Sequence, residues 1–131
     1  MQINPLTDIV AVVVWYNPTV EQAQNILSYM HDVYRVIIID NSITSNAHLL
    51  VGADQELYEY IPLKRNLGIA TALNRGCEEA IRLKAKWILT MDQDSRWERE
   101  QLLSYFDQIN SFSALHEVGV FSPRQTYNGQ V

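Results

Sequence analysis

Asp92 and Asp94 stand one residue apart at the end of the apolar run Ile88 to Met91, in the stretch ILTMDQDSRW. Two like charges this close repel each other unless water screens them, a helix start absorbs one, or a cation joins them. The third case is chemistry. Mg²⁺ or Mn²⁺ takes one or two protein carboxylates and fills its remaining positions with water and phosphate oxygens. No Lys or Arg follows Met91 until Arg96, so the pair has the charge of a divalent-cation anchor. A plainer reading stands beside it. Seven aspartates in 131 residues make a chance D-x-D common, and Ser95 with Glu98 spells a capping box that would make Asp94 and Ser95 a helix start. Spacing alone leaves both open.

Further candidates also sit at the ends of apolar runs. Asp40 closes VIIID and is followed by Asn41 and Ser42; it is either a turn aspartate bonded to its own loop or an acceptor for a base or ribose. Tyr16 is either a boundary aromatic or a stacking surface for a nucleobase. Arg65, Asn66 and Gly68 make a turn into a helix, and such a turn can also offer backbone N–H groups and a guanidinium to a diphosphate.

The elements that must position these residues follow from the pattern of apolar side chains. Five short β-branched runs, Ile9 to Trp15, Val36 to Ile39, Leu57 to Ile61, Trp87 to Met91 and Val118 to Phe121, read as strands. Most are continuous rather than alternating, the mark of strands covered on both faces of a parallel sheet. Helical spacing separates them. Thr19 and Gln22 make a capping box, with Ala23, Ile26, Leu27 and Met30 on one face of a helix closing near Tyr34. A second helix spans about Gly68 to Lys84, with Ile69, Ala72, Leu73, Gly76 and Ala80 toward the sheet and Gly76 allowing close packing. A third begins after Asp94, buries Leu102, Leu103, Phe106 and Ile109, and ends around Asn110; a short helix at Ala47 to Val51 breaks the long link from Asp40 to Glu56. Strand and helix alternate, which predicts a single α/β domain over residues 1–131: a mostly parallel, doubly wound sheet sandwiched by helices. In such sheets ligands bind beyond the carboxyl ends of the strands, where all the candidates above fall.

Composition narrows the field. With 47% apolar and 19% charged residues, one ordinary core is expected and disorder is not. Ten basic against fifteen acidic residues, with no dense Lys/Arg run, exclude a nucleic-acid footprint. Cys77 is the only cysteine, so no disulfide or cysteine zinc site can form within one chain, and a reducing cytoplasm is expected. The run at 9–15 is too short for a transmembrane segment. There is no G-x-G-x-x-G, no P-loop and no G-x-S-x-G, and His31, His48 and His116 lack metal-ligand spacing.

Taken together, AVVVWYNP at 11–18 (with its lead), VIIIDNS at 36–42, NLGIATALNRG at 66–76 and ILTMDQDS at 88–95 resemble the N-terminal half of a family 2 glycosyltransferase, closest to the bacterial rhamnosyltransferases. The four blocks occur in the family's order and cover most of the chain. The resemblance implies a Rossmann-like GT-A fold and an inverting, metal-dependent transfer from a nucleotide-diphosphate sugar, a dTDP- or UDP-sugar, to a glycan or lipid-linked acceptor. It implies roles as well: Tyr16 beside the base, Asp40 on base or ribose, Arg65, Asn66 and Gly68 against the nucleotide, Asp92 on the ribose or metal side, and Asp94 as principal ligand of Mg²⁺ or Mn²⁺. Surface-polysaccharide assembly at the cytoplasmic face of the membrane is implied the same way.

One departure limits the resemblance. The family's general base and acceptor-binding segment follow the D-x-D half, and Glu117, the only acidic residue after Asp107, does not match the base motif. The general base is therefore expected beyond Val131, and no residue of the sequence is assigned that role. A truncated chain holding the donor half alone is the expectation. The alternative from another class is a non-catalytic nucleotide- or partner-binding module. A receiver domain would need acidic residues after the first strand and a late lysine, whereas Trp15, Tyr16 and Asn17 stand there and no lysine follows Lys86. A phosphatase of the haloacid dehalogenase type would carry its D-x-D on the first strand rather than the fourth.

Overall fold

The computed structural model describes residues 2–124. Two expectations reach past that range: the single domain over 1–131, and the general base beyond Val131, which lies outside the described residues. Among the described residues, four α-helices (α1, Pro5–Asp8; α2, Val20–Gln24; α3, Ile69–Arg82; α4, Arg99–Asn110) accompany four strands (β1, Ile9–Trp15; β2, Arg35–Asp40; β3, Tyr58–Pro62; β4, Trp87–Asp92). The strands form one parallel sheet in the order β3-β2-β1-β4. The fold is α/β and Rossmann-like.

β1 lies inside the sheet and every one of its residues is buried, which is why its sequence is unbroken by polar residues. Because successive side chains alternate in direction, Ala11, Val13 and Trp15 enter one core with Ala23, Ile26, Met30, Leu102 and Phe106. Val10, Val12 and Val14 enter the other, with Ile37, Ile39, Ala72 and Ala80. The chain runs outward from β1 through β2 to β3, then returns past β1 to β4. A constant crossover hand makes such a reversal change faces, and α3 accordingly packs on the face opposite α2. The carboxyl ends of β1 and β4 therefore flank a topological switch point.

α3 lies close against the sheet at Gly76, where an added Cβ would collide with Val12 Cγ1 and come within 3.3 Å of Ile39 Cγ1. Ala72, Gly76 and Ala80, four residues apart, form the small-residue stripe that permits this approach. Ile69, expected on that stripe, is instead exposed in the first turn.

Four further expectations change in the structure. Val118 to Phe121 forms no strand: the Phe121 ring packs on Trp87 and Phe112, with centroids 5.6 and 5.7 Å away, and Val120 is exposed. Its apolar character serves side-chain packing at the foot of β4 rather than backbone pairing. The helix after Thr19 has the expected capping box, but it tightens into a 3₁₀ turn at Asn25–Ser28 well short of Tyr34. At three residues per turn Ala23, Ile26 and Tyr29 share the buried line, and Leu27 turns outward. In α4, Leu102, Phe106 and Ile109 are buried while Leu103 stays partly exposed. Finally, α4 starts at Arg99 with Glu98 at its N-cap and no side-chain cap bond, so Ser95 and Glu98 make no capping box. Asp94 does not start a helix.

Candidate functional site

The strand register sets the geometry. Trp15 pairs with Asp40 on one side of β1, and Val14 pairs with Asp92 on the other. Asp40 and the acidic pair thus reach the same rim of the sheet, on either side of the end of β1. Above this rim opens a cleft of about 600 Å³, within the size range of small-molecule sites. Its polar lining includes Tyr16, Asn41, Asn66, Asp92, Gln93 and Asp94, and Val14, Ile69 and Leu73 give it an apolar side.

Five of the seven residues singled out in the sequence, Tyr16, Asn66, Gly68, Asp92 and Asp94, line this cleft. Both aspartates of the pair are exposed, and neither is in a salt bridge among the described residues. No cluster of three or more His, Cys, Asp or Glu suited to a metal occurs among the described residues. Two free carboxylates with no third protein ligand fit an ion that completes its shell with water and phosphate, not a closed structural site.

Asp40 and Arg65 are outside the lining. Asp40 is fully buried beneath the rim and accepts from Ser42 N at 3.0 Å, Asn46 Nδ2 at 3.0 Å, Asn46 N at 3.2 Å and the Tyr60 hydroxyl at 2.5 Å. Burial pushes its pKa up, but the hydrogen bonds from Tyr60, Ser42 and Asn46 outweigh burial and hold the carboxyl below its ordinary range. The Ser42 bond is the Asx turn of the plainer reading. Arg65 is exposed beside the cleft and makes no ion pair among the described residues.

The turn at 66–68 differs from expectation in which donors it offers. Leu67 N donates to Asn41 Oδ1 at 2.9 Å, and Gly68 N to Asn66 Oδ1 at 2.9 Å. Both are consumed internally. The N–H groups open to an anion are instead those of the first turn of α3, from Ile69 onward, where the helix dipole also favours negative charge. Gly68, at φ 86° and ψ 159°, occupies a conformation that only glycine adopts readily.

Three residues to which the sequence reading assigns no role hold the rim together. Asn41, besides accepting from Leu67, donates through Nδ2 to Gly68 O at 3.2 Å, tying the end of β2 to the start of α3. Ser42 Oγ accepts from Asn17 N at 2.7 Å. Gln93, between the two aspartates, accepts from Tyr16 N at 2.8 Å and donates to Tyr16 O at 3.2 Å. The only sequence signal for any of them is a polar amide or hydroxyl just past the end of a strand.

Residues 12–128 match the family model for glycosyl transferase family 2. The chain belongs to that family. It is also 33% identical over 111 residues to the dTDP-rhamnosyl transferase RfbF of Shigella flexneri. That alignment covers 80% of this chain and 36% of the relative, so the chain spans about a third of the length of the curated relative it matches. As a family 2 glycosyltransferase chain it carries, among the described residues, four parallel strands, the cleft at their switch point and the acidic pair at the end of β4. No helix among the described residues is long and apolar enough to cross a membrane.

Proposed function

We propose that the cleft binds the nucleoside diphosphate portion of a sugar donor together with Mg²⁺ or Mn²⁺, and that the chain is the donor-binding half of a metal-dependent inverting glycosyltransferase. The observation that carries this is the acidic pair: two exposed carboxylates, without an ion-pair partner among the described residues, on one cleft with an exposed tyrosine and the N-terminus of a 14-residue helix. Each group suits a different part of one ligand. Tyr16 offers a ring face to the base. The first-turn N–H groups of α3, with Arg65 nearby, suit phosphate oxygens. Asp94 and Asp92 would hold the cation, which when bound supplies Lewis-acid charge for the departing diphosphate. Asn66 and Gly68 shape the wall between them.

Asp40 acts from below in this arrangement, as a buried acceptor that fixes the loop at 42–46. Direct contact with a base or ribose would require the ligand to replace one of the Asn46 or Tyr60 hydrogen bonds. The acceptor hydroxyl attacks the anomeric carbon from the face opposite the diphosphate, which inverts configuration, and a general base that we place beyond Val131 takes its proton. Glu117 is no candidate, because it sits beside His116, which lines a separate pocket at the foot of β4 with Ile3 and Trp87.

A thymidine diphosphate carrier and a rhamnosyl group are favoured by the Shigella relative, and a surface polysaccharide or its lipid-linked precursor at the cytoplasmic membrane face is the acceptor we propose. Titration calorimetry with thymidine diphosphate or uridine diphosphate, with and without Mn²⁺, tests the reading. Metal-dependent affinity in the native chain and its loss in Asp94→Ala, with the fold retained, is the expected result. Equal binding in both proteins removes Asp94 from the site.

A further inference from the structure

Gln93 lies between the two aspartates, yet its side chain turns back toward the end of β1. The last registered pair of β1 and β4 is Val14 with Asp92. Beyond it the Gln93 amide supplies the next rung, accepting the Tyr16 N–H and donating to the Tyr16 carbonyl. The same Nε2 reaches Gln22 Oε1 at 3.4 Å, and Asn25 Nδ2 donates to the Gln93 backbone carbonyl at 2.9 Å. One residue thereby connects the acidic loop, the aromatic loop and α2.

We infer that Gln93 is a positioning residue that sets the distance between the aromatic end of the cleft, Tyr16, and its acidic end, Asp92 and Asp94, so that one nucleoside diphosphate engages both at once. The inference rests on the reading of the cleft as a nucleoside diphosphate site. Only a side chain with both a donor and an acceptor can satisfy both backbone groups of Tyr16. Glutamate at this position would accept from the Tyr16 N–H but could not donate to its carbonyl. Asparagine is one methylene shorter. Methionine fills similar space and makes neither bond. Held by Gln93, Tyr16 and the two carboxylates form one rigid rim; without it each end keeps its own groups, but the spacing between them is no longer fixed.

The test is Gln93→Met, compared with the native chain in two measurements. Hydrogen exchange should show the Tyr16 amide exchanging at least ~10-fold faster in the variant, with the amides inside β1 unchanged, because only the Gln93 bond covers it. Calorimetry in Mn²⁺ should then show thymidine diphosphate binding weakened about tenfold, the equivalent of ~1.4 kcal/mol, while pyrophosphate, which has no base to reach Tyr16, binds within about twofold of native. A merely structural role would weaken both ligands together, and that result overturns the inference. So does unchanged thymidine diphosphate affinity once the Tyr16 amide is released. Failure of the native chain to bind thymidine diphosphate with Mn²⁺ is a different outcome, which removes the reading of the cleft itself and this inference with it.

Discussion

The Tyr60 hydroxyl, on β3, donates to the buried carboxylate of Asp40 at the end of β2, so neighbouring strands are joined by a charge-assisted bond directly below the cleft. Asp40 is depressed in the folded state relative to an unfolded aspartate, which titrates near 3.9. A depressed carboxyl contributes stability that is present above the unfolded pKa and lost as pH falls through the folded one. Tyr60→Phe should therefore cost about 1.5–3 kcal/mol at neutral pH, a deficit that shrinks as pH falls below the unfolded value and through the folded one, where the native carboxylate also takes up a proton. Urea denaturation of both proteins at pH 7 and pH 3 checks this; a deficit that does not change with pH would mean that the bond is not to an ionised Asp40.

The acidic pair contributes nothing to the apo fold that its removal would cost. Asp92 and Asp94 are exposed and lack cationic partners among the described residues, so Asp92→Asn and Asp94→Asn should change apo stability by no more than about 0.5 kcal/mol. Relief of like-charge repulsion should keep any change from being a loss. Ligand stabilisation behaves differently: at a hundredfold excess over its dissociation constant, nucleotide with Mn²⁺ should stabilise the native chain by ~2.7 kcal/mol and Asp94→Asn much less. Thermal shift assays with and without Mn²⁺ separate the two effects, and an equal upward shift in Asp94→Asn would contradict the assignment.

Gly76→Ala tests the contact between α3 and β1. Alanine should gain about 1 kcal/mol of helix propensity, but its Cβ collides with Cγ1 of the fully buried Val12. Overpacking of this kind costs about 1–3 kcal/mol, so the net effect should be destabilising. Val12→Ala removes the offending methyl, and the double variant should be more stable than the sum of the two single changes requires. Denaturation midpoints for the four proteins in the cycle settle it, with strict additivity as the contrary result.

How much of this was legible in the sequence depends on the range of the interaction involved. β1 could be read to both its ends because a strand covered on both faces leaves an uninterrupted run from Ile9 to Trp15. The capping box of α2 and the 72-76-80 stripe of α3 were legible for the same reason: partners three or four residues apart leave a periodic trace. Asn41 and Gln93 left none, since their bonds reach 26 and 77 residues along the chain and any polar side chain after a strand looks alike. The tightening of α2 at Asn25 was hidden because Ala23, Ile26 and Met30 fit an α-helix as well as the observed turn. Val118 to Phe121 has strand composition but pairs with no strand among the described residues, and composition does not encode that.

Gly68 carries the last prediction. Its positive φ with extended ψ lets the chain turn from the Asn66 Asx turn into α3 while Asn41 grips both Leu67 and Gly68. A Cβ at Gly68 would meet no atom within 4 Å, so Gly68→Ala introduces backbone strain and no clash. That strain is about 1–3 kcal/mol if the loop keeps its shape. The loop can also relax by surrendering the Asn41 bonds, which would cost less in stability but would move the first-turn N–H groups of α3 away from the phosphate position we propose. Gly68→Ala should therefore lose nucleotide affinity by more than its drop in stability accounts for, whereas Gly52→Ala, an equally open positive-φ glycine in the link between β2 and β3 and outside the cleft lining, should lose stability alone. Calorimetry paired with urea denaturation on both variants distinguishes the two, and equal nucleotide affinity in Gly68→Ala and the native chain would show that the phosphate position does not depend on this turn.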